Sequence, residues 1–129
     1  IYGVLPFDNS VMTVEMTGAQ VIEMFDYVAT ISRGNGAFPQ VSEGVSFTVD
    51  FTAGETRNLM INGKPVDENA VYKVATNSFM AAGGDGYSMM KPGHKYDTSA
   101  FQRDVVIDYI SEMGGSISPA TEGRITVIE

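Results

Sequence analysis

Apolar and polar positions alternate along most of this chain, with two interruptions of helical spacing. In Val11–Met16, Met12, Val14 and Met16 share one face while Val11, Thr13 and Glu15 share the other, as in a half-buried strand. Thr17 follows as a helix N-cap, and Gln20 three residues on completes a capping box. Val21, Met24, Phe25, Val28 and Ile31 then recur at helical spacing until Gly34-Asn35-Gly36 stops the helix. Ala37-Phe38-Pro39-Gln40 is a loop, after which Val45, Phe47, Val49 and Phe51 alternate as a second strand.

Ala53-Gly54-Glu55 turns the chain into a strand around Leu59 and Ile61, and Asn62-Gly63 is the strongest hairpin signal in the sequence. Val66 ends that hairpin, Asp67-Glu68-Asn69 is a turn, and Val71–Ala75 is a further strand. It runs into Asn77, Phe79 and then Gly83-Gly84-Asp85-Gly86, which is too rich in glycine for helix or strand. Met89–His94 reads as irregular. Ser99 with Gln102 predicts a second capping box, and Phe101, Val105, Tyr109 and Met113 predict one helical face, with Val106 and Ile110 beside it and Gly114-Gly115 as its stop. Val4–Pro6 is a short strand end, Ser116–Gly123 a loop and Arg124–Ile128 a last strand. Two helices among five or six short strands predict an α+β fold, a single domain over residues 1–129 with a mixed sheet packed by the two helices.

Composition narrows the function. The 129 residues suffice for one core, and 43% apolar content is that of a globular domain. No apolar run approaches the roughly 20 residues of a membrane span. Eight basic residues against sixteen acidic ones, a net charge of −8, disfavour nucleic acid and anionic membranes as partners. The absence of cysteine excludes disulfides and thiolate metal sites. The opening Ile1-Tyr2-Gly3 reads as the middle of a longer chain, which gives the expectation of an excised fragment.

Most catalytic chemistry finds no motif. There is no phosphate loop of the GxxxxGK[ST] kind, the glycine run does not fit GxGxxG, and Asp85 lacks the alternating acids of an EF-hand. His94, the one histidine, lies in a lysine-flanked turn and reads as a solvated residue. Recognition chemistry remains. Phe38 and Phe79 flank or enter loops, where they either sandwich a flat ligand or cap the core. Asp85 either accepts hydrogen bonds from sugar hydroxyls or closes an Asx-turn, and Asn77 either contacts ligand or bonds neighbouring backbone.

Ala75-Thr76-Asn77-Ser78-Phe79 followed by Gly83-Gly84-Asp85-Gly86-Tyr87 resembles the signature of the C-terminal domain of 5′-nucleotidases, the family of bacterial UDP-sugar hydrolases and animal ecto-5′-nucleotidases. Leu5-Pro6-Phe7-Asp8-Asn9 with Thr17-Gly18 resembles its LPF-x-N run and helix start; Gly36–Ser42 its G-x-[FY]-x-Q segment; and Glu122-Gly123-Arg124-Ile125 its closing EGRI. The resemblance implies a substrate-binding domain that stacks a nucleobase between two aromatics and holds the ribose through the glycine-loop aspartate. An N-terminal metallophosphoesterase domain, carrying two divalent metal ions and the catalytic His, would hydrolyse the phosphate ester after domain rotation. Carried over by position, Phe79 and Asp85 match, Phe38 is the second stacking residue, and Asn77 and Gly84 complete the substrate-binding set. Val41, where some members place an aromatic, cannot stack; Arg33 is the nearby candidate for a nucleotide-binding arginine; and Glu43-Gly44 stands where some relatives place an Asn or Gly, so polar contacts to the base do not carry over.

The resemblance further implies that this fragment alone is inactive and binds no cofactor, and that the whole protein is secreted, periplasmic or on the cell surface. Its partners would be a nucleotide or nucleoside and the N-terminal domain, without nucleic acid. A non-catalytic nucleotide-binding or adhesion module, or the same architecture acting on UDP-sugars or cyclic nucleotides, are the competing expectations. A D-x-H and N-H-[ED] metal pattern upstream would favour the enzyme.

Overall fold

The computed structural model describes residues 9–32, 34–114 and 122–128. The expected strand at Val4–Pro6, the residues Leu5–Asp8 of the LPF run, Arg33 and most of the loop from Ser116 lie outside the described residues. Among the described residues, seven strands and three α-helices form two compact units, one drawn from residues 9–15 and 73–114, the other from residues 16–32, 34–72 and 122–128. The expected α+β class and mixed sheet are both present, accompanied by a second sheet.

In the second unit, α1 (Gly18–Val28) starts from the predicted capping box: Gln20 N–H donates to Thr17 Oγ1 at 3.2 Å, and Thr17 N–H donates to Gln20 Oε1 at 3.0 Å. The N–H groups of Gly18 and Ala19 donate to the carbonyls of Ala70 and Glu68, at 2.8 and 3.3 Å, so helix donors that lack intrahelical partners are met by the Asp67–Ala70 turn. The helix buries Val21, Met24, Phe25 and Val28 as the spacing required.

It ends one turn before the expected Ile31. Thr30 N–H and its Oγ1 both donate to the Tyr27 carbonyl, at 2.9 and 2.7 Å, and Ile31 N–H reaches back only to Val28. A β-branched hydroxyl residue that bonds the preceding turn tightens the helix into a cap. Ile31 still buries its side chain, so its periodic signal was that of the core.

The mixed sheet has the order β4-β3-β2-β7, from β2 (Val45–Asp50), β3 (Glu55–Ile61), β4 (Lys64–Pro65) and β7 (Ile125–Ile128). β2 pairs antiparallel with β3 and parallel with β7, Phe47 opposite Ile125. Phe47 and Val49 face the core, and the Phe47 ring meets Phe25 of α1 at 4.8 Å between centroids. Asn62 and Gly63, at φ 53° and 79°, form the two-residue connection with both residues left-handed that the dipeptide predicted. Buried Asp50 accepts from the N–H groups of Thr52 and Ala53, both at 3.0 Å, and pairs with Arg57 at 3.1 Å, which closes the β2–β3 turn. A hydrogen bond to Glu55, then the charges of Glu55 and Asp50, hold the Arg57 guanidinium above its ordinary pKa, so its charge is constant at any physiological pH.

In the first unit, β1 (Ser10–Thr17) lies between β5 (Val71–Asn77) and β6 (Lys95–Phe101). β6 runs antiparallel to β1, and its register breaks between Ser10↔Phe101 and Met12↔Asp97. That break corrects the expected second capping box. Ser99 belongs to β6, left-handed at φ 62°, and its N–H donates to Asp97 Oδ1 at 2.8 Å. α3 (Gln102–Glu112) takes Phe101 as N-cap with no side-chain cap, and Gln102 N–H instead donates to the Asn9 carbonyl at 2.8 Å.

The helical face expected on α3 is corrected too. Phe101, Val105, Tyr109 and Met113 are exposed, at 43, 45, 57 and 57%, and Phe101 precedes the helix. Val106, Ile107 and Ile110 are the partly buried apolar residues of α3, with Gln102 and Arg103 of its first turn also partly buried, so its shielded side lies one position round from the expected one.

Candidate functional site

The last residue of β5 opens the segment that the sequence marked. Asn77, extended at φ −90° and ψ 164°, caps the single-turn α2 (Ser78–Ala81), and its Oδ1 accepts from Met80 N–H at 2.8 Å. One of its two sequence-level roles, bonding neighbouring backbone, is thereby filled. Four residues cannot hold a helix by hydrogen bonding alone. Ala81 is fully buried, and the N–H groups of Ala82 and Gly83 donate back to the carbonyls of Ser78 and Met80 at 3.2 and 2.9 Å.

Phe79 projects from this turn and is 50% exposed. One edge of it meets the glycine loop. A Cβ on Gly84 would lie 2.6 Å from Phe79 Cε2 and 2.7 Å from Cδ2, so the backbone of Gly84 lies directly against the ring edge. Only a residue without a side chain allows that approach.

Gly83 and Gly86 are left-handed at φ 92° and 85°, and Asp85 between them has φ 55° and ψ 23°. A left-handed non-glycine is uncommon, and aspartate is among the side chains that tolerate it. The loop is pinned beneath by Tyr87, 1% exposed, with Met89 and Met90 also buried. The aliphatic stem of Lys91 runs beside Gly83, and Lys95 Nζ donates to the carbonyls of Lys91 and Gly93. Asp85 is therefore an exposed carboxylate on a loop whose flanks are fixed.

Phe38 stands in the other unit. Asn35 builds its turn: Ala37 N–H donates to Asn35 Oδ1 at 2.9 Å and Phe38 N–H to the Asn35 carbonyl at 3.0 Å. The half-buried Phe38 ring pairs with Phe51, 6.2 Å between centroids and 43° between planes, within the range of favourable aromatic pairs. Phe51 stood in the sequence as the last residue of an alternating strand; β2 stops before it, which frees it to serve this loop. At the loop's far end, Arg124 Nη1 donates to the Val41 carbonyl at 2.8 Å, while its Nη2 meets Glu122 at 2.7 Å. The EGRI arginine thus fastens the loop that carries Phe38, a role the sequence did not reveal.

Asn77, Phe79, Gly84 and Asp85 are accordingly gathered in one unit, and Phe38 belongs to the other. His94 is exposed, and its carbonyl accepts from Glu15 N–H at 2.9 Å. Among the described residues, no three His, Asp or Glu side chains are grouped so as to hold a metal ion, and no helix is long and apolar enough to cross a membrane.

An aromatic ring on α2 seated against a glycine loop, with a carboxylate displayed on that loop, makes a candidate ligand-recognition element of this α+β chain. Residues 1–92 match the profile of the 5′-nucleotidase C-terminal domain family, and the chain belongs to that family. It is 34% identical over 135 residues to the trifunctional nucleotide phosphoesterase protein YfkN of Bacillus subtilis, covering 97% of this chain and 9% of that protein. It is 39% identical over 111 residues to protein UshA of Escherichia coli, covering 84% of this chain and 20% of that one. The fold matches the crystal structure of a 5′-nucleotidase precursor from Thermus thermophilus with a TM-score of 0.85 at 29% identity, over 98% of this chain and 27% of the other. The chain thus spans a quarter or less of the curated relatives' length.

Proposed function

We propose that this chain is the substrate-recognition domain of a metal-dependent 5′-nucleotidase-type phosphohydrolase and binds the nucleoside part of its substrate. Phe79 stacks the base on its open face, Asp85 accepts hydrogen bonds from the ribose hydroxyls, and Phe38 supplies the second aromatic surface. Asn77 shapes the turn beneath Phe79, and Gly84 gives the ring its seat. The observation that carries this reading is the half-exposed Phe79 ring lying on Gly84 beside the exposed carboxylate of Asp85, in a chain of the 5′-nucleotidase family. Backbone held in the left-handed region at a non-glycine such as Asp85 is strain of the kind that clusters at ligand sites.

Two divalent metal ions would supply the hydrolytic chemistry from an N-terminal metallophosphoesterase domain of the same polypeptide. The described acidic residues do not gather as such a site, so no chemical step is assigned to this chain. That the relatives extend well beyond the matched region supports the two-domain arrangement, and the name of the B. subtilis relative supports nucleotides as the substrate class. By the same family reading, the protein acts in the periplasm, at the cell surface or outside the cell.

Hydrolysis of AMP by the full-length protein tests the proposal. Phe79→Ala should raise KM for AMP with little change in kcat, because it removes binding that ground state and transition state share. Unchanged AMP hydrolysis would make Phe79 a packing residue and defeat the assignment.

A further inference from the structure

Phe79 leads a difficult existence for a binding residue. It sits on a helix of one turn, is 50% exposed, and meets Gly84 along one ring edge. The direction of the ring therefore depends on how that single turn is held. The residue immediately before it is tied across the sheet. Ser78 Oγ accepts from Ser10 N–H at 3.1 Å and donates to Asn9 Oδ1 at 3.3 Å, two contacts that span nearly the whole sequence separation between the start of β1 and the end of β5. The same Asn9 accepts Gln102 N–H on its carbonyl at 2.8 Å, so the anchor is itself held by the start of α3.

We propose that Ser78 is a positioning residue for Phe79, and that the Asn9–Ser78 link sets the direction of the stacking ring. This rests on the nucleoside-binding reading above. A hydroxyl is the suitable group here, because it accepts from a backbone N–H and donates to an amide oxygen at once, whereas alanine does neither. Asn77 caps the turn from within and Ser78 ties it to β1, so α2 is restrained both internally and against the sheet. Asn9, the last residue of the LPF-x-N run, thereby acquires a purpose: it holds Ser78 rather than the ligand.

The test is the dissociation constant of adenosine, measured by calorimetry on the full-length protein. Ser78→Ala, which removes both bonds, should weaken adenosine by about 3- to 10-fold, a change equal to one ordinary hydrogen bond because only part of the loss reaches the ring. Ser78→Thr, which keeps the hydroxyl, should restore affinity to within about twofold of wild type. Asn9→Ala, which leaves the Ser10 bond in place, should fall between the two. A merely structural serine would not show recovery of affinity with threonine while the melting temperatures of the variants differ little. Phe79→Ala is measured alongside. If Phe79→Ala weakens adenosine and Ser78→Ala does not, or if Ser78→Thr is as impaired as Ser78→Ala, the positioning role is overturned and the binding reading stands. If Phe79→Ala binds adenosine as well as wild type, the binding reading is overturned and the positioning role with it.

Discussion

Replacement of Gly84 by alanine tests the geometry of the candidate site most severely. The added methyl would lie 2.6 Å from Phe79 Cε2, 2.7 Å from Cδ2 and 2.6 Å from the Phe79 carbonyl oxygen, all below the 3.0 Å that real Cβ contacts respect. Gly84 is not among the left-handed glycines, so the penalty is steric and not conformational. The ring is half in water and can swing away. The carbonyl is backbone of a one-turn helix and cannot move without carrying Phe79 with it. Overpacking of this kind costs about 1–3 kcal/mol.

In the full-length protein, that cost should appear as amide exchange about 5- to 150-fold faster in peptides covering residues 77–87, with other peptides unchanged. Adenosine affinity should fall about tenfold or more, since the ring leaves its seat. A second alanine isolates the ring's share. Phe79→Ala removes two of the three clashes and leaves the carbonyl, so Gly84→Ala should cost less in that background without becoming free. Equal costs in both backgrounds, or no cost in either, would show that the ring does not rest on Gly84 and would refute the geometry.

Asp85→Asn keeps a side chain that tolerates the left-handed backbone but removes the charged acceptor, so adenosine affinity should fall about tenfold. A matching loss for 2′,3′-dideoxyadenosine would show that the carboxylate does not serve the ribose. Thr17→Ala removes the α1 cap and should lower the local stability of the helix by ~1 kcal/mol, read by amide exchange, while adenosine affinity stays within about twofold. Arg124→Ala releases the Val41 carbonyl and should speed exchange of residues 35–44 several-fold, with a smaller loss of adenosine affinity than Phe79→Ala gives.

Local rules carried much of this fold. The Thr17/Gln20 capping box, the Asn62-Gly63 hairpin and the alternation of Phe47 and Val49 each depend on neighbours in sequence, and each forms as the spacing requires. β6 did not read as a strand, because Asp97-Thr98-Ser99 is a polar, turn-like run. The tertiary pairing with β1 recruits it, and the mismatch is absorbed locally: Asp97 takes the Ser99 N–H and Thr98 Oγ1 donates to the Val11 carbonyl at 2.7 Å. The shielded side of α3 was misplaced by a similar logic. Helical spacing fits both Phe101-Val105-Tyr109-Met113 and the set of Val106 and Ile110, and only the fold decides which is covered.

At the site, glycine content and the aspartate marked the loop. The Asn77 cap, a contact three residues long, was one of the two roles the sequence offered. That Ser78 ties α2 to β1 and that Phe51 backs Phe38 are contacts between distant segments, which no local pattern encodes.

The central claim is that the Phe79 ring is a nucleobase platform. It is tested most directly by titrating the full-length protein and its Phe79→Ala variant with adenosine in a calorimeter. Base–aromatic stacking contributes ~1–3 kcal/mol, so the wild type should bind saturably and the variant about 5- to 150-fold more weakly. Absence of binding to the wild type at millimolar adenosine, or equal affinity for both proteins, would contradict the claim.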